Sequence, residues 1–318
     1  MDPAPVGQSV RVLAIVAPGQ GAQTPGYLAP WLESSESATL LAAYSAAAGL
    51  DLAHAGTEAS ADDIRDTAVA QPLLVASALL SARALLGDSD LPADTILAGH
   101  SVGEVAVAAL AGVISDEEAM RFVSVRGKAM AAAAAKAGDT GMTAVVGGDR
   151  DDVLRAIEAA GLTAANDNGP GQVVAAGTAD QLAQLAAAPP DKARLVPLSV
   201  AGAFHTVHMQ PAVAELAAFA STLDPNKPAT RLISNADGAE PETGGEALDR
   251  MVAQVSSPVR WDRCLDTLRE VGVTGLLELT PAGTLAGIAR RGLPGVATFK
   301  LSSPDQLDDA RAFVADHS

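Results

Sequence analysis

The feature that most constrains the fold of this chain is a glycine-flanked serine that stands between a short apolar run and an alanine-rich segment. Residues 95–98, Thr-Ile-Leu-Ala, predict a buried strand, and the residues after Gly103 predict a helix that ends near Ala111. Between them stands Gly99-His-Ser-Val-Gly103, a G-x-S-x-G sequence in the strand–turn–helix setting that a nucleophile turn requires. A plain turn whose serine caps the helix fits the same residues. Either way a strand leads directly into a helix, which favours an α/β fold.

Strands and helices alternate along most of the remaining chain. The β-branched run from Arg11 to Ala17 predicts a first strand, which ends at Pro18-Gly19. A helix is predicted from Gln71 to Leu86, with a proline near its first position. Another is predicted from residue 116 to about 136, with acidic residues in the first turn, where the helix dipole favours them. This alternation predicts the α/β class with a largely parallel sheet.

The middle of the chain, residues 138–200, has a different rhythm. The predicted order of its elements is β-α-β-β-α-β, which is the order of a ferredoxin-like unit. We therefore predict a small domain over residues 138–200, inserted into a large domain that is formed by residues 1–137 and 201–318.

Charge and cysteine content exclude several classes of function. The 318 residues carry 38 acidic and 21 basic side chains, and the formal net charge of −17 argues against nucleic acid or an anionic membrane as the main partner. Cys264 is the one cysteine, so the chain has neither a disulfide framework nor a cysteine-rich metal site. We find no secretory leader, and the apolar run from Val10 to Ala17 is too short to cross a bilayer. These features predict a soluble cytoplasmic protein.

A catalytic serine needs a base, and His205 is the best placed of the five histidines. It stands in Ala201-Gly-Ala-Phe-His205, where small residues lead into a predicted helix and can present a side chain at a cleft. His208 could pair with it as a metal ligand, but no carboxylate motif supports this, and we predict no metal. The remaining histidines, His100, His54 and His317, are expected to have no catalytic role. His100 should point away from the serine, and His54 should lie in a loop.

The loop Pro18-Gly-Gln-Gly-Ala-Gln23 after the first strand is a third candidate feature. It does not match the dinucleotide fingerprint G-x-G-x-x-G, because Thr24 occupies the position of the last glycine. Glycines that allow close approach of the backbone, next to a glutamine, suit an oxyanion hole, and they suit an ordinary β-turn equally well.

Together these motifs resemble the acyltransferase family of fatty-acid and polyketide synthesis, which includes the malonyl-CoA:acyl-carrier-protein transacylases. The resemblance extends over about residues 11–300, and the segments that carry it are 18–23, 99–104, Arg126, 166–174, 202–205 and 254–261. It implies a large α/β-hydrolase-like domain that carries a ferredoxin-like one. It also implies transfer of a malonyl group from malonyl-CoA to the phosphopantetheine thiol of acyl carrier protein, by a monomeric enzyme without a cofactor.

The resemblance also implies a role for each site residue. The catalytic roles are those of Ser101 as nucleophile, His205 as base, the Gln254 carbonyl as support of the imidazole, and the amides of Gln20 and Val102 as oxyanion hole. Arg126 would pair with the free malonyl carboxylate, although the residues alone favour a solvated helix arginine. Met130 would line the acyl pocket or belong to the core. Phe204 would leave little room for a methyl group on the acyl α-carbon, a preference of about 1–3 kcal/mol.

Two other classes of function stay open. An esterase or thioesterase of the α/β-hydrolase kind shares the serine turn, but its histidine comes late in the chain, whereas a long stretch follows His205 here. A non-catalytic acyl-binding protein would need neither Ser101 nor His205. An acidic carrier could dock on this acidic chain only at a local basic cluster, for which Lys128, Arg290 and Arg291 are candidates. The adjacent arginines also fit an ordinary solvated pair.

Overall fold

The computed structural model describes residues 11–318, and its strands form two sheets. Within these residues the strands are Leu13–Ala17 (β1), Ile96–Gly99 (β2), Thr140–Gly147 (β3), Thr163–Asp167 (β4), Gln172–Thr178 (β5), Ala193–Pro197 (β6), Arg231–Ile233 (β7), Val259–Arg260 (β8), Gly275–Glu278 (β9) and Ala297–Lys300 (β10). The first sheet has the order β10-β9-β1-β2-β7, and every neighbouring pair in it is parallel. The predicted α/β class with a largely parallel sheet is confirmed.

Strand β1 lies at the centre of the parallel sheet, and all five of its residues are buried. Alternate residues enter two separate hydrophobic clusters: Leu13, Ile15 and Ala17 lie in one, and Ala14 and Val16 in the other. Successive side chains of a strand point to opposite faces, so the sheet is covered on both faces. This double cover explains why the first strand is an unbroken apolar run.

Helices surround this sheet. The α-helices in the part of the chain that the structure describes are Ser35–Ala48 (α1), Leu52–Thr57 (α2), Thr67–Leu86 (α3), Gly103–Leu110 (α4), Asp116–Ala137 (α5), Arg150–Ala159 (α6), Ala179–Ala187 (α7), Gln210–Ala220 (α8), Gly244–Gln254 (α9), Trp261–Glu270 (α10), Thr284–Gly292 (α11) and Leu307–His317 (α12). Residues of α3, α4 and α5 share one cluster with the sheet, and residues of α10 and α11 share the other. Helix α5 ends within about a residue of its predicted end, and a capping box at Ser115 and Glu118 defines its start.

The prediction that the third helix begins at Gln71 is wrong. The carboxylate of Asp66 accepts a hydrogen bond from the amide of Ala68 at 2.8 Å, so α3 begins at Thr67 and Pro72 lies inside it. This cap precedes the proline by six residues and sets the helix start, whereas Pro72 only removes one internal hydrogen bond. Among residues 11–318, α3 is the one helix that is long and apolar enough to cross a bilayer, and 78% of its most apolar window is buried, as in a core helix.

The second sheet has the order β6-β3-β5-β4-β8. Its pairs are antiparallel except for β4 with β8, and the elements from β3 to β6 follow the predicted order β-α-β-β-α-β. Strand β8 belongs to the part of the chain after residue 200, so hydrogen bonds of this sheet join the two parts. The ferredoxin-like description and the division into residues 1–137 with 201–318 and residues 138–200 remain predictions.

Candidate active site

Ser101 stands on a sharp turn between β2 and α4. Its φ is +53°, in the left-handed region that residues with a side chain seldom adopt. Contacts require both flanking glycines: a Cβ on Gly99 would lie 2.1 Å from the carbonyl carbon of Gly103, and a Cβ on Gly103 would lie 2.3 Å from the carbonyl oxygen of Ala17. The turn therefore closes only with glycine at both positions, and it presents the serine at the N-terminal end of α4.

His205 meets this serine in a cavity of about 260 Å³. Its Nε2 lies 2.7 Å from Ser101 Oγ, and its Nδ1 lies 2.7 Å from the backbone oxygen of Gln254. A carbonyl oxygen can only accept, so Nδ1 carries the ring proton and Nε2 is free to accept the proton of the serine hydroxyl. The serine, the imidazole and the carbonyl are thus aligned for proton transfer from Ser101.

Burial keeps the imidazole of His205 neutral. Loss of hydration and, to a smaller extent, the charge of Arg126 lower its pKa to about 3, against the raising effect of the hydrogen bond to Gln254. A neutral imidazole can accept a proton at any physiological pH, so His205 is in the form that a general base requires. The backbone φ of this residue is +60°, which makes it a second strained position of the site.

Arg126 lies buried next to Ser101, with 1% of its surface exposed. Its guanidinium donates to Gln71 Oε1 at 2.6 Å and to Gln254 Oε1 at 2.8 Å, and its Nη2 lies 3.5 Å from Ser101 Oγ. Burial lowers its pKa to about 10, partly offset by the charge of Glu104, so the group remains a cation at neutral pH. The interpretation of Arg126 as a solvated helix arginine is therefore wrong.

A close helix contact puts this arginine in place. Gly127 allows α5 to approach the start of α3, since a Cβ there would lie 2.9 Å from the carbonyl oxygen of Thr67. Gln71, one turn along α3, then reaches both the guanidinium and Met130, whose Sδ accepts a hydrogen bond from Gln71 Nε2 at 3.3 Å. The small residue at 127 is the reason that a long charged side chain can be held inside the protein.

Glu104 is the buried acid of the same network. Its Oε1 accepts from the amide of Asn235 at 3.1 Å, and its Oε2 accepts from the side-chain nitrogen of Gln254. Burial raises the pKa of this carboxyl to about 7, against the lowering effect of hydrogen bonds from Ser234 and Asn235. The side-chain amide of Gln254 thus bridges Glu104 and Arg126, and because the guanidinium can only donate, the amide oxygen faces Arg126 and the amide nitrogen faces Glu104.

The backbone amides of Gln20 and Val102 are the candidate donors to an oxyanion at this cavity. Gln20 and Val102 both line the cavity, and among residues 11–318 neither of their N–H groups donates to a protein acceptor. Unpaired amides that face a reacting centre are what an oxyanion hole requires. Met130 and Phe204 line the same cavity, with 1% and 5% of their surfaces exposed, so both are core residues and cavity residues at once.

Comparison with known proteins gives the family. The acyl transferase domain family matches residues 15–304, which is most of the chain. The chain belongs to this family.

Relatives and solved structures agree with the match. The malonyl CoA-acyl carrier protein transacylase of Mycobacterium tuberculosis is 49% identical to this acyl transferase over 299 residues, which are 94% of this chain and 99% of the relative. The protein of the same name from Escherichia coli is 32% identical over 302 residues, 92% of this chain and 97% of the relative. The crystal structure of the Mycobacterium tuberculosis protein superposes with a TM-score of 0.89 at 48% identity, covering 94% of this chain and 99% of that one.

One solved structure includes a partner. It is described as a type II polyketide synthase acyl-carrier protein in complex with its malonyl-transacylase. The matched chain superposes on this acyl transferase with a TM-score of 0.85 at 28% identity, and the match covers 95% of this chain and 99% of that one.

The other histidines of this acyl transferase lie in different surroundings. His100 lines the cavity, and its ring lies 2.8 Å from Asn168 Oδ1 and edge-on to Trp261, so it joins the serine turn to the second sheet. His54, His208 and His317 lie outside the cavity lining. The prediction that His54 lies in a loop is wrong, because it lies on helix α2. Within residues 11–318, no group of three or more His, Cys, Asp or Glu side chains could hold a metal ion.

Sequence reasoning missed several polar residues that the acyl transferase fold brings to this site. They are Gln71, Asn168 and Asn235, together with the role of Glu104. Glu104 carries a local signal, because an acid directly after the serine turn sits in the first turn of an otherwise apolar helix. Asn168 lies in the segment 166–174 that carries the resemblance, whereas Gln71 and Asn235 carry no local pattern, since each reaches the site from a different element.

Proposed function

We propose that this acyl transferase carries a malonyl group from malonyl-CoA to the phosphopantetheine thiol of acyl carrier protein, through a malonyl ester of Ser101, and so supplies fatty-acid or polyketide synthesis. The observation that carries the proposal is a paired serine and histidine with a buried guanidinium beside the serine hydroxyl. Serine and histidine serve acyl transfer in general, and the arginine adds recognition of a free carboxylate. The names of the relatives from Mycobacterium tuberculosis and Escherichia coli support the same substrate.

In the first half-reaction, His205 Nε2 takes the hydroxyl proton of Ser101 while Oγ attacks the thioester carbonyl of malonyl-CoA. The amides of Gln20 and Val102 donate to the oxyanion of the tetrahedral intermediate. When the carbon–sulfur bond breaks, the imidazolium returns its proton to the sulfur, and coenzyme A leaves as a thiol. The enzyme is left with a malonyl ester on Ser101.

The second half-reaction reverses these steps with a new sulfur. The phosphopantetheine thiol gives its proton to His205 and attacks the ester carbonyl, and Ser101 Oγ takes the proton back as the ester bond breaks. The carbonyl of Gln254 holds the imidazole in the required tautomer and stabilises its cation without a second buried charge. Thioester is exchanged for thioester, so the proton and the acyl group balance without a cofactor.

The guanidinium of Arg126 gives the site its preference for a dicarboxylic acyl group. Its Nη1 donates to Gln71 and its Nη2 donates to Gln254. Nη2 also lies next to Ser101 Oγ, so an acyl group on the serine would meet the guanidinium there. A buried cation with neutral partners gains most from a carboxylate that brings its own charge. Met130 and Phe204 would line the acyl chain, and the ring of Phe204 would crowd a branched α-carbon.

The cavity is lined by strands of the second sheet and by loops and helices around the first sheet, which supports the division into a large and a small domain. Residues of β3, β4 and β5 line it together with the serine turn, the loop after β1 and helix α11. We propose that residues 138–200 form the small domain and that the acyl group binds where it meets the large domain of residues 1–137 and 201–318.

The carrier protein would dock at the open end of this cavity. Thr284, Leu285 and Ile288 of α11 line the cavity, and the exposed Arg290 and Arg291 follow on the same helix. Neither arginine has an ion-pair partner among the residues that the structure describes. Lys128 lies on α5, outside the cavity lining, and is the weaker candidate. Replacing both arginines by alanine should raise KM for the carrier and weaken its dependence on salt; a salt dependence that stays the same would contradict this docking site.

The proposal is tested by transfer of radiolabelled malonyl from malonyl-CoA to a purified acyl carrier protein. We expect label on the carrier that bears phosphopantetheine and none on the same carrier without it, and Ser101→Ala should abolish the transfer. Labelling of the carrier by Ser101→Ala at the wild-type rate would overturn the proposal. Steady release of free coenzyme A without any carrier would instead indicate a thioesterase.

A further inference from the structure

The serine turn of this protein has a strained backbone conformation, and Asn235, far along the chain, lies where it can stabilise that conformation. Asn235 follows β7, the strand next to β2 in the parallel sheet, and its side chain is fully buried. We propose that Asn235 is a positioning residue, which keeps the turn in the conformation that presents Ser101 to His205. The inference rests on the proposed function, because Ser101 must be the nucleophile for the position of the turn to matter.

One side-chain amide bridges the backbone on both sides of the turn. Asn235 Oδ1 accepts from the amide of Ser101 at 2.7 Å, and Asn235 Nδ2 donates to the carbonyl oxygen of Gly99 at 2.7 Å. The amide of Ser101 can only donate and the carbonyl of Gly99 can only accept, so the two contacts fix the orientation of the side chain. The left-handed φ of Ser101 takes the Ser101 N–H and the Gly99 carbonyl out of regular strand or helix hydrogen bonding. Asn235 therefore provides the hydrogen-bond partners of both groups.

A second set of contacts links this amide to the support of the base. Gln254 Nε2 lies 3.3 Å from Asn235 Oδ1, and the backbone oxygen of Gln254 accepts the ring proton of His205. The backbone amide of Asn235 itself donates to Glu104 at 3.1 Å. A shift of the Asn235 side chain would thus disturb the serine and the support of its base together.

The hydrogen bond between Ser101 and Asn235 also determines which amide of the turn is available to an oxyanion. The N–H of Ser101 is taken by Asn235, so the unpaired N–H of the next residue, Val102, is the one left to face an oxyanion. If the side chain at 235 were shortened, the N–H of Ser101 would lose its acceptor and the turn could rotate. Such a rotation would move both Oγ and the Val102 amide, which are the groups that transition-state geometry depends on.

The test compares Asn235→Ala and Asn235→Asp with Ser81→Ala as a matched control. Ser81 is also fully buried, and its Oγ accepts from a backbone amide, that of Thr280, at 3.2 Å, outside the cavity lining. Each alanine variant thus removes the side-chain acceptor of one backbone N–H. The readouts are kcat and KM for malonyl transfer, the rate at which a fluorophosphonate labels the active serine, and the thermal midpoint of unfolding.

We expect Asn235→Ala to lower kcat and the fluorophosphonate rate by about 10²-fold with KM for malonyl-CoA unchanged. Ser81→Ala should lower the thermal midpoint and leave kcat at the wild-type value. Asn235→Asp keeps the shape and the acceptor for Ser101, so it should retain more kcat than Asn235→Ala, and it provides the readout if the alanine variant does not fold. Wild-type kcat in the folded Asn235 variants, whatever their stability, would overturn the inference. Ser101→Ala is assayed in parallel: if it transfers malonyl, the proposed function fails, and if only the Asn235 variants are normal, the positioning role alone fails.

Discussion

The serine turn and the histidine segment hold a side chain in the same rare backbone conformation by different means. Ser101 and His205 have φ values of +53° and +60°. At the serine turn, a strand and a helix are joined so closely that backbone atoms touch: a Cβ on Gly99 or Gly103 would lie within 2.3 Å of backbone atoms. No side chain can relax such contacts, so the nucleophile is held by steric exclusion.

The histidine segment is held by hydrogen bonds and borders solvent. Thr206 Oγ1 donates to the carbonyl oxygen of Ala203 at 2.7 Å, and the amide of Ala203 donates to Thr140 Oγ1 at 3.3 Å. Val207, two residues after His205, is 76% exposed. Hydrogen bonds of this kind can lengthen or exchange, whereas backbone contacts cannot. The site therefore combines a rigid nucleophile with a base on a more adjustable support.

Substituting one glycine in each region should reveal the difference in rigidity through the largest expected change in stability. Gly103→Ala would force a Cβ to within 2.3 Å of a backbone oxygen, and we expect a loss of about 3 kcal/mol or more in the free energy of unfolding, or no folding at all. In Gly202→Ala the Cβ would lie 2.9 Å from the Cβ of Ala134, a smaller overlap that a small shift of the histidine segment would relieve, so the loss should be about 1–2 kcal/mol.

Urea denaturation of both variants is the measurement for this prediction. Gly287→Ala is the matched control, because a Cβ on this helical glycine of α11 would meet nothing within 4 Å. It should stabilise the protein by about 1 kcal/mol. Equal losses in Gly103→Ala and Gly202→Ala would mean that the two regions are equally rigid.

Arg126 is the side chain that contacts both regions, and its removal should have the next largest effect. It touches Ser101 directly, and it touches the support of His205 through Gln254. Arg126→Ala would leave the malonyl carboxylate unpaired, at a cost of about 3–5 kcal/mol, so kcat/KM for malonyl-CoA should fall by about two to four orders of magnitude. The matched comparison is acetyl-CoA, which lacks the carboxylate and should lose much less. If both substrates lost the same factor, Arg126 would be a structural tie and not a carboxylate site.

The two regions should also respond to pH with opposite signs. The pKa of His205 is lowered to about 3 from 6.5, so between these values the unfolded chain binds the extra proton and stability rises with pH. The pKa of Glu104, in the helix after the serine, is raised to about 7 from 4.5, so between these values the folded protein holds the extra proton and stability falls as pH rises. From pH 4.5 to 6.5 the two effects offset each other.

Single variants should separate these two effects in urea denaturation at several pH values. Glu104→Gln should make stability rise with pH over this interval, and His205→Gln should make it fall, each by at most about 1.4 kcal/mol per pH unit. Parallel pH profiles of the two variants and the wild type would show that neither group titrates in its buried position as described.

How far the sequence predicts this molecule depends on how local each signal is. The strand, the turn and the helix around Ser101 follow one another within fifteen residues, so their pattern is readable. The start of α3 was misjudged because Pro72 is a strong signal near the true start, whereas the single capping carboxylate of Asp66 is a weak one.

The site is less predictable than the fold because its polar contacts are long-range. Asn235 is 134 positions from the serine whose amide it accepts, and Gln254 is 49 positions from the histidine that it supports. No spacing rule connects residues so far apart, and only a family resemblance names the second of them. His100 illustrates the same limit, since its neighbours Asn168 and Trp261 come from other elements.

The most direct test of acyl transfer through Ser101 is to mix the protein with malonyl-CoA without any carrier and to map the acyl group by mass spectrometry of peptides. We expect one malonyl group per chain, on the peptide that contains Ser101, absent in Ser101→Ala and formed about 10²–10⁴ times more slowly in His205→Ala. A malonyl group on any other residue, or its formation at the wild-type rate in either variant, would contradict the pairing of this serine with this histidine.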